Sequence, residues 1–281
     1  GRSIGAGDDE AFEEGGEVAT TETEEAEDEP ELDQTEPGCD VDGDGFEAIA
    51  CGGTDCRDDD ASIRPNQFES CDFIDNNCDE SLNEGLNCTV YAHTATELFA
   101  IDPFDGSIAY VGAVPGIVDF DTDLQGTLYG ISATLLYRLN ITTGEWITVG
   151  DLGEPEGFPN GFAINSLGQA YATSGSYLYR INLETAVTEL VGEVGEDVWS
   201  SGDCVVTKAD KLYMTSSDSS TPGDDLFFVD GGTGVGELVG NTGTGQIYGL
   251  TSAWGYMFGF TSSGLVVMID EASGEATELH R

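Results

Sequence analysis

Asp40-Val-Asp42-Gly-Asp44-Gly45 sets a carboxylate at every second position and closes with a glycine. Alternate side chains followed by a backbone carbonyl converge on one point, the arrangement that a hard cation such as calcium requires. On an EF-hand count the carbonyl of Phe46 takes the seventh place, but the twelfth is Cys51, so the bidentate Glu is missing. A further ligand must then come from Glu47 or from the group Asp55, Asp58, Asp59 and Asp60. A second ladder, Asp75, Asn77 and Asp79 followed by Asn83 and Glu84, repeats the alternation. Carboxylates at this spacing repel one another until a divalent ion neutralises them. The competing reading is a solvated acidic loop held only by disulfides.

Cys39, Cys51, Cys56, Cys71, Cys78 and Cys88 lie within the same fifty residues, leaving Cys204 as the odd one. Six cysteines in a segment of low apolar content read as disulfides and place the chain in an oxidising compartment. Spacing leaves fifteen pairings open. Cys39 and Cys88 flank the segment, and one expectation is that they close its ends with the other four paired inside.

The blocks DVDGDG, CGGTDC, RPNQFE and CDFIDNNCDE follow one another over residues 39–86. In that order they resemble the metal-binding motif of MopE-type secreted bacterial proteins, a short Asp- and Cys-rich module often attached to larger extracellular domains. The resemblance implies a metal site and an extracellular setting, and the family name implies copper. The ladders themselves look like the calcium ligands of thrombospondin type 3 repeats. Copper is disfavoured because the segment has no His or Met and its thiols are expected to be oxidised. Two residues depart from the family: Glu80 stands where Gly is usual and Asn83 where Asp is usual, which weakens the second site.

The chain has 281 residues and a formal net charge of −47. Residues 1–36 carry fifteen acidic groups against one Arg, and the only lysines are Lys208 and Lys211. Such a field repels nucleic acid and anionic membranes and concentrates divalent cations, which are the partners expected from charge. No apolar run reaches the eighteen residues that a membrane helix needs. The start at Gly1 without a Met is read as a removed or omitted targeting signal. Residues 1–38 are expected to be a disordered acidic tail or linker, because they cannot bury enough apolar surface to offset ordering entropy. An alternative lets Phe12 to Thr20 add as a strand to a partner.

Residues 89–281 repeat with a period of about forty residues. Leu98-Phe99-Ala-Ile101-Asp102, Leu136-Tyr137-Arg-Leu139-Asn140, Leu178-Tyr179-Arg-Ile181-Asn182, Leu226-Phe227-Phe-Val229-Asp230 and Val266-Val267-Met-Ile269-Asp270 each lead into a turn. The first four turns run on to an apolar-Gly pair, and the fifth ends at Leu279-His280. Short alternating strands with Gly or Asn turns at this period predict a mainly β fold, a β-propeller of about five four-stranded blades. This repeat resembles that of a large class of extracellular propellers. The disulfide-rich calcium module, residues 39–88, precedes it. Blade 1 starts at Val90 and lacks an inner strand. Closure without that strand, or with one from residues 1–38, is favoured over a strand donated by a neighbouring subunit.

No catalytic constellation emerges. His93 and His280 lack a triad context, Cys204 reads as a buried small hydrophobe, and Asp119, Asp121 and Asp123 are scattered acids that line a propeller face. The expectation is therefore a secreted or cell-surface, non-enzymatic calcium-binding protein that binds other proteins, including copies of itself in a filament or surface layer, with the periplasm as a variant location. Its alternatives are a copper-associated surface protein and a metal-dependent propeller hydrolase or lyase.

Overall fold

The computed structural model describes residues 38–84, 89–140, 142–153, 155–217 and 222–280. The tail through residue 37, with its proposed strand at Phe12 to Thr20, lies outside these residues, as does Cys88. Nineteen strands among the described residues form five antiparallel sheets arranged as the blades of a propeller. Blade 1 consists of β1 (Val90–His93), β2 (Glu97–Ile101) and β3 (Ile108–Ala113); blade 2 of β4 (Asp119–Thr122), β5 (Leu128–Ile131), β6 (Leu135–Asn140) and β7 (Glu145–Asp151). Blade 3 is β8 (Pro159–Ile164), β9 (Ala170–Ser174), β10 (Tyr177–Ile181) and β11 (Thr188–Glu193); blade 4 is β12 (Ser200–Val206), β13 (Leu212–Ser216), β14 (Asp225–Val229) and β15 (Gly236–Asn241). Blade 5 is β16 (Ile247–Ala253), β17 (Tyr256–Thr261), β18 (Val266–Ile269) and β19 (Ala276–His280). Among the described residues, blade 1 has three strands where the others have four.

Each part of the repeat has a local cause. The Asn or Asp that ends the third strand turns its side-chain oxygen onto the amides two and three residues ahead: Asp102 on Phe104 and Asp105, Asn140 on Thr142 and Thr143, Asn182 on Glu184 and Thr185. Asp230 and Asp270 do the same in blades 4 and 5. Short polar side chains that hydrogen-bond their own backbone in this way initiate turns. The apolar residue before each glycine is a β-bulge: Leu178 faces Gly192 and Tyr179 faces Leu190, so Val191 is left unpaired, and the register shifts at the same place in all five blades.

The glycine of that pair lets the blades stack. A Cβ on Gly192 would lie 2.0 Å from the Thr233 carbonyl of the next blade, and one on Gly240 would lie 2.0 Å from that of Ser273. Apolar clusters fill the space between blades, with Tyr129, Tyr171, Tyr213 and Phe258 all buried at the matching position of successive second strands. Their packing role is the one that the repeat predicts.

Gly192→Ala is expected to lower unfolding free energy by about 1–3 kcal/mol through forced separation of two blades. Gly112→Ala, where a Cβ meets nothing within 4 Å, should stay within about 0.5 kcal/mol of the parent in the same denaturant titration.

Candidate metal centre

The first aspartate ladder folds as a tight loop organised by Asp40. Its Oδ1 accepts the amides of Gly43 at 2.8 Å and Asp44 at 3.1 Å, and its Oδ2 accepts that of Gly45 at 3.1 Å. Gly45 has φ 95°, a conformation that glycine adopts without a Cβ clash. Oxygens of Asp40, Asp42 and Asp44 lie within 4.8 Å of one another. Of the proposed substitutes for the missing Glu, Asp55 and Asp58 come to this loop. Asp58 accepts the Val41 amide at 3.1 Å, and the negative charge of Asp55 is felt by Asp42. Asp60 instead turns back onto Ser62, and Glu47 and Asp59 are exposed.

Three carboxylates share one unusual state. Asp42, Asp44 and Asp55 each direct Oδ1 onto the amide two residues ahead, while Oδ2 is buried and has no hydrogen-bond partner. Leaving a buried acceptor bare is costly, and more so when it is charged. Burial, and then the charges of Asp44, Asp55 and Asp40, push the Asp42 carboxyl above its usual range against the pull of the Asp44 amide. Arg64 forms a long salt bridge to Asp44 Oδ2, at 3.9 Å, and lies over the ring of Phe46. An all-oxygen set with bare negative acceptors fits a hard divalent ion.

The second ladder repeats the geometry without the bare oxygens. Asp75 accepts the amides of Asp79 and Glu80, Asn77 that of Asp79, and Asp79 that of Ser81. Glu80 occupies the place of Gly45, at φ 71°, which explains why glycine is usual there. Asn77 donates its amide to Glu84, so two candidate ligands are engaged with each other. Asn83 uses both ends of its amide on the Asp72 backbone, which an aspartate cannot do. Glu69 binds the loop from within, accepting the amides of Asn76, Asn77 and Asn83.

The cysteine expectation needs correction. Cys39 pairs with Cys51 and Cys56 with Cys78, and Cys71 is also disulfide-bonded. Closure of the segment's ends through Cys39 is overturned because the first loop folds back on itself. The Ala48 amide donates to the Cys39 carbonyl at 2.7 Å, which brings the Cα atoms of Cys39 and Cys51 to 5.9 Å. Asp55 does lie beside Cys56 and Cys78, but those sulfurs are bonded to each other and provide no thiolate.

The module rests on the propeller through residues that the sequence did not single out. Buried Asp72 takes a salt bridge from Lys208 at 2.5 Å. Phe73 stacks on Trp254 at 5.2 Å between ring centroids and meets Phe104 edge-on at 5.5 Å. The one available hint was a large aromatic in an otherwise polar stretch.

Ser70 and Cys71 of the module also border a cavity of about 710 Å³ that forms the central channel. Asp119, Asp121 and Asp203 line it, each carboxylate clamping two amides. Asp119 accepts those of Phe120 and Phe162, Asp121 those of Thr122 and Ile164, and Asp203 those of Cys204 and Leu250. Each thus ties its inner strand to the next blade. Burial raises all three; the nearby Asp203 charge raises Asp119 further, and Asp121 reaches about 7 despite its two amide bonds. Asp123 lies in a turn, bonded to Gln125 and Thr127. Burial lowers His93, and Cys204 is a free, buried thiol pushed well up by the same cause. His280 Nε2 is hydrogen-bonded to the Phe104 carbonyl.

Residues 55–84 match the family Cu-binding_MopE, described as "Putative metal-binding motif". The match begins at Asp55 and leaves the Asp40–Phe46 loop outside it. Among solved structures, the chain is similar to virginiamycin B lyase from Staphylococcus aureus, at 15% identity over 68% of this chain with a TM-score of 0.42. It spans 65% of the length of that lyase. A protein of unknown function from Bacteroides thetaiotaomicron shares 15% identity over 69% of this chain and 55% of its own, with a TM-score of 0.49. At these values neither similarity bears on activity or ligand. No curated protein matches the chain.

Asp121 has a folded-state pKa of about 7 against about 3.9 unfolded. Its stabilising contribution is complete below pH 4 and lost as pH rises through about 7. Melting the parent and Asp121→Asn in chelator from pH 5 to pH 8 should show the parent losing more stability. The gap should be about 1–2 kcal/mol, less than the full shift because the side chain borders an open cavity. Equal pH slopes would contradict the assignment.

Proposed function

We propose that this chain is a secreted, non-enzymatic calcium-binding protein, in which an ion-shaped module supports a propeller that presents an interaction face to other proteins. The observation that carries the reading is the trio of bare, buried oxygens on Asp42, Asp44 and Asp55. Calcium would convert a self-repelling loop into a compact knob. Oxygen ligands and oxidised sulfurs favour calcium over copper. The paired cysteines support an extracellular, cell-surface or periplasmic location. No helix of the described residues is long and apolar enough to cross a membrane. Assembly with copies of itself into a filament or surface layer belongs to the same reading.

An enzymatic reading has one specific observation in its favour: Asp119 and Asp203 meet inside the cavity. Against it, every oxygen of that pair is taken up by backbone amides that join blades. A group so engaged is a poor acid or base for a substrate.

Metal analysis of purified protein should find calcium, and Asp55→Asn should weaken its binding at least about tenfold. Limited proteolysis in chelator should open Asp40–Asp60 first and spare the propeller. Copper in the purified protein, or cleavage of that segment unchanged by chelator, would contradict the proposal.

A further inference from the structure

Among the described residues only two salt bridges form, and they differ in kind. Lys208 reaches Asp72 at 2.5 Å and donates a hydrogen bond to it. Arg64 Nε stops 3.9 Å from Asp44 Oδ2, beyond hydrogen-bond range, so that contact is one of charge alone. Both atoms are buried, and neither has a hydrogen-bond partner among the described residues. Asp44 Oδ2 is also one of the three oxygens assigned above to the cation, so one carboxylate oxygen faces two claimants.

The position of Arg64 is set from outside the loop. Its amide donates to the Asn76 carbonyl at 3.0 Å, within the second ladder, and its carbonyl accepts the Gln67 amide at 3.1 Å. Ile63 before it is buried, and Pro65 after it restricts its backbone. The side chain then crosses to the first loop, where the guanidinium lies 5.8 Å from the ring centre of Phe46. Asp44 is held from its own side, since its Oδ1 accepts the Phe46 amide at 2.9 Å. Neither backbone therefore needs to move for the two charges to part. The Arg64 side chain is already 38% exposed, against 3% for that of Asp44, and its long stem can swing outward.

We propose that Arg64 is a built-in competitor for the cation, holding Asp44 with its own positive charge and giving it up when a divalent ion binds. The proposal rests on the calcium reading of this loop. Two positive charges at one carboxylate oxygen repel each other, the more so where burial lowers the effective dielectric, so the ion enters as the guanidinium leaves. An internal cation engaged for about nine-tenths of the time lowers the apparent affinity about tenfold. Arg64 thereby sets the site to a weaker range, in which its occupancy follows the surrounding calcium concentration. A bracing role for Arg64 would have the opposite sign, because its loss would then loosen the loop and weaken binding.

Isothermal titration of calcium into the chelator-stripped full chain tests the assignment. Arg64→Gln and Arg64→Met, which keep much of the length but not the charge, should each bind calcium about tenfold more tightly than the parent. Arg64→Lys, which keeps the charge, should stay within about threefold of it. Unchanged or weaker binding by either folded neutral variant would overturn the proposal. Equal tightening by Arg64→Lys would overturn it too, since the effect would then be one of packing. Calcium binding by parent and neutral variants with equal affinity would overturn this proposal alone, whereas no binding by any of them would overturn the calcium reading with it.

Discussion

The joint between the last blade and the first is the constraint on which the rest of this structure depends. At the joints that follow blades 2, 3 and 4, a turn of one blade seats against the glycine of the previous outer strand: Thr185 on Gly150, Thr233 on Gly192 and Ser273 on Gly240. At the closing joint that glycine position holds His280, which faces Val266 just as Gly240 faces Leu226. Its ring packs against Gly106 and bonds the Phe104 carbonyl, so a longer side chain bridges the two blades. Phe73 of the module then joins Phe104 of blade 1 to Trp254 and Tyr256 of blade 5. Aromatic pairs of this kind contribute about 0.5–1.5 kcal/mol each beyond their buried area. A ring whose described residues leave blade 1 one strand short is thus fastened from outside.

Charge imposes the second constraint. Eight basic residues cannot neutralise fifty-five acidic ones, so most carboxylates must be satisfied by something other than ion pairs. Backbone amides take that role. The turn-forming Asp102, Asp230 and Asp270, the loop-forming Asp40 and Asp75, and the channel residues Asp119, Asp121 and Asp203 all accept main-chain N–H groups. Hydrogen bonds to a charged acceptor are stronger than neutral ones, about 1.5–3 kcal/mol. The same device produces turns on the surface and joins blades in the channel, where burial makes it dependent on pH.

The blades were legible in the sequence because their causes are local. An Asx turn, a bulge and a close-approach glycine each occupy a few residues and recur in register, so the pattern names the fold. The aspartate ladders were legible for the same reason. Contacts chosen by the closed ring were not. Lys208 and Asp72 are 136 residues apart, and Asp119 and Asp203 lie in different blades. A signal for the latter did exist, since both acids stand at the same position of the repeat, where blades 3 and 5 have Gly161 and Gly249. The cysteine pairing was hidden because it follows from the path of the first loop rather than from spacing.

The two halves of the module answer to different forces. Around Asp40–Phe46 the buried Oδ2 atoms of Asp42, Asp44 and Asp55 have no hydrogen-bond partner, and the proposed ion would supply a partner. Around Asp75–Glu84 the protein has supplied its own donors. Asn77 removes one negative charge and gives Glu84 a hydrogen bond, Asn83 braces Asp72, and Glu69 collects three amides. The self-sufficient half is the one that carries Asp72 and Phe73 onto the propeller. An ion in the first loop would therefore set the shape of the projecting half, while the grip on the closing joint holds without it. Weakening of the second ladder as a ligand site is, on this account, the condition for its use as a clasp: a loop whose fold waited on free cation would release the joint whenever that cation fell.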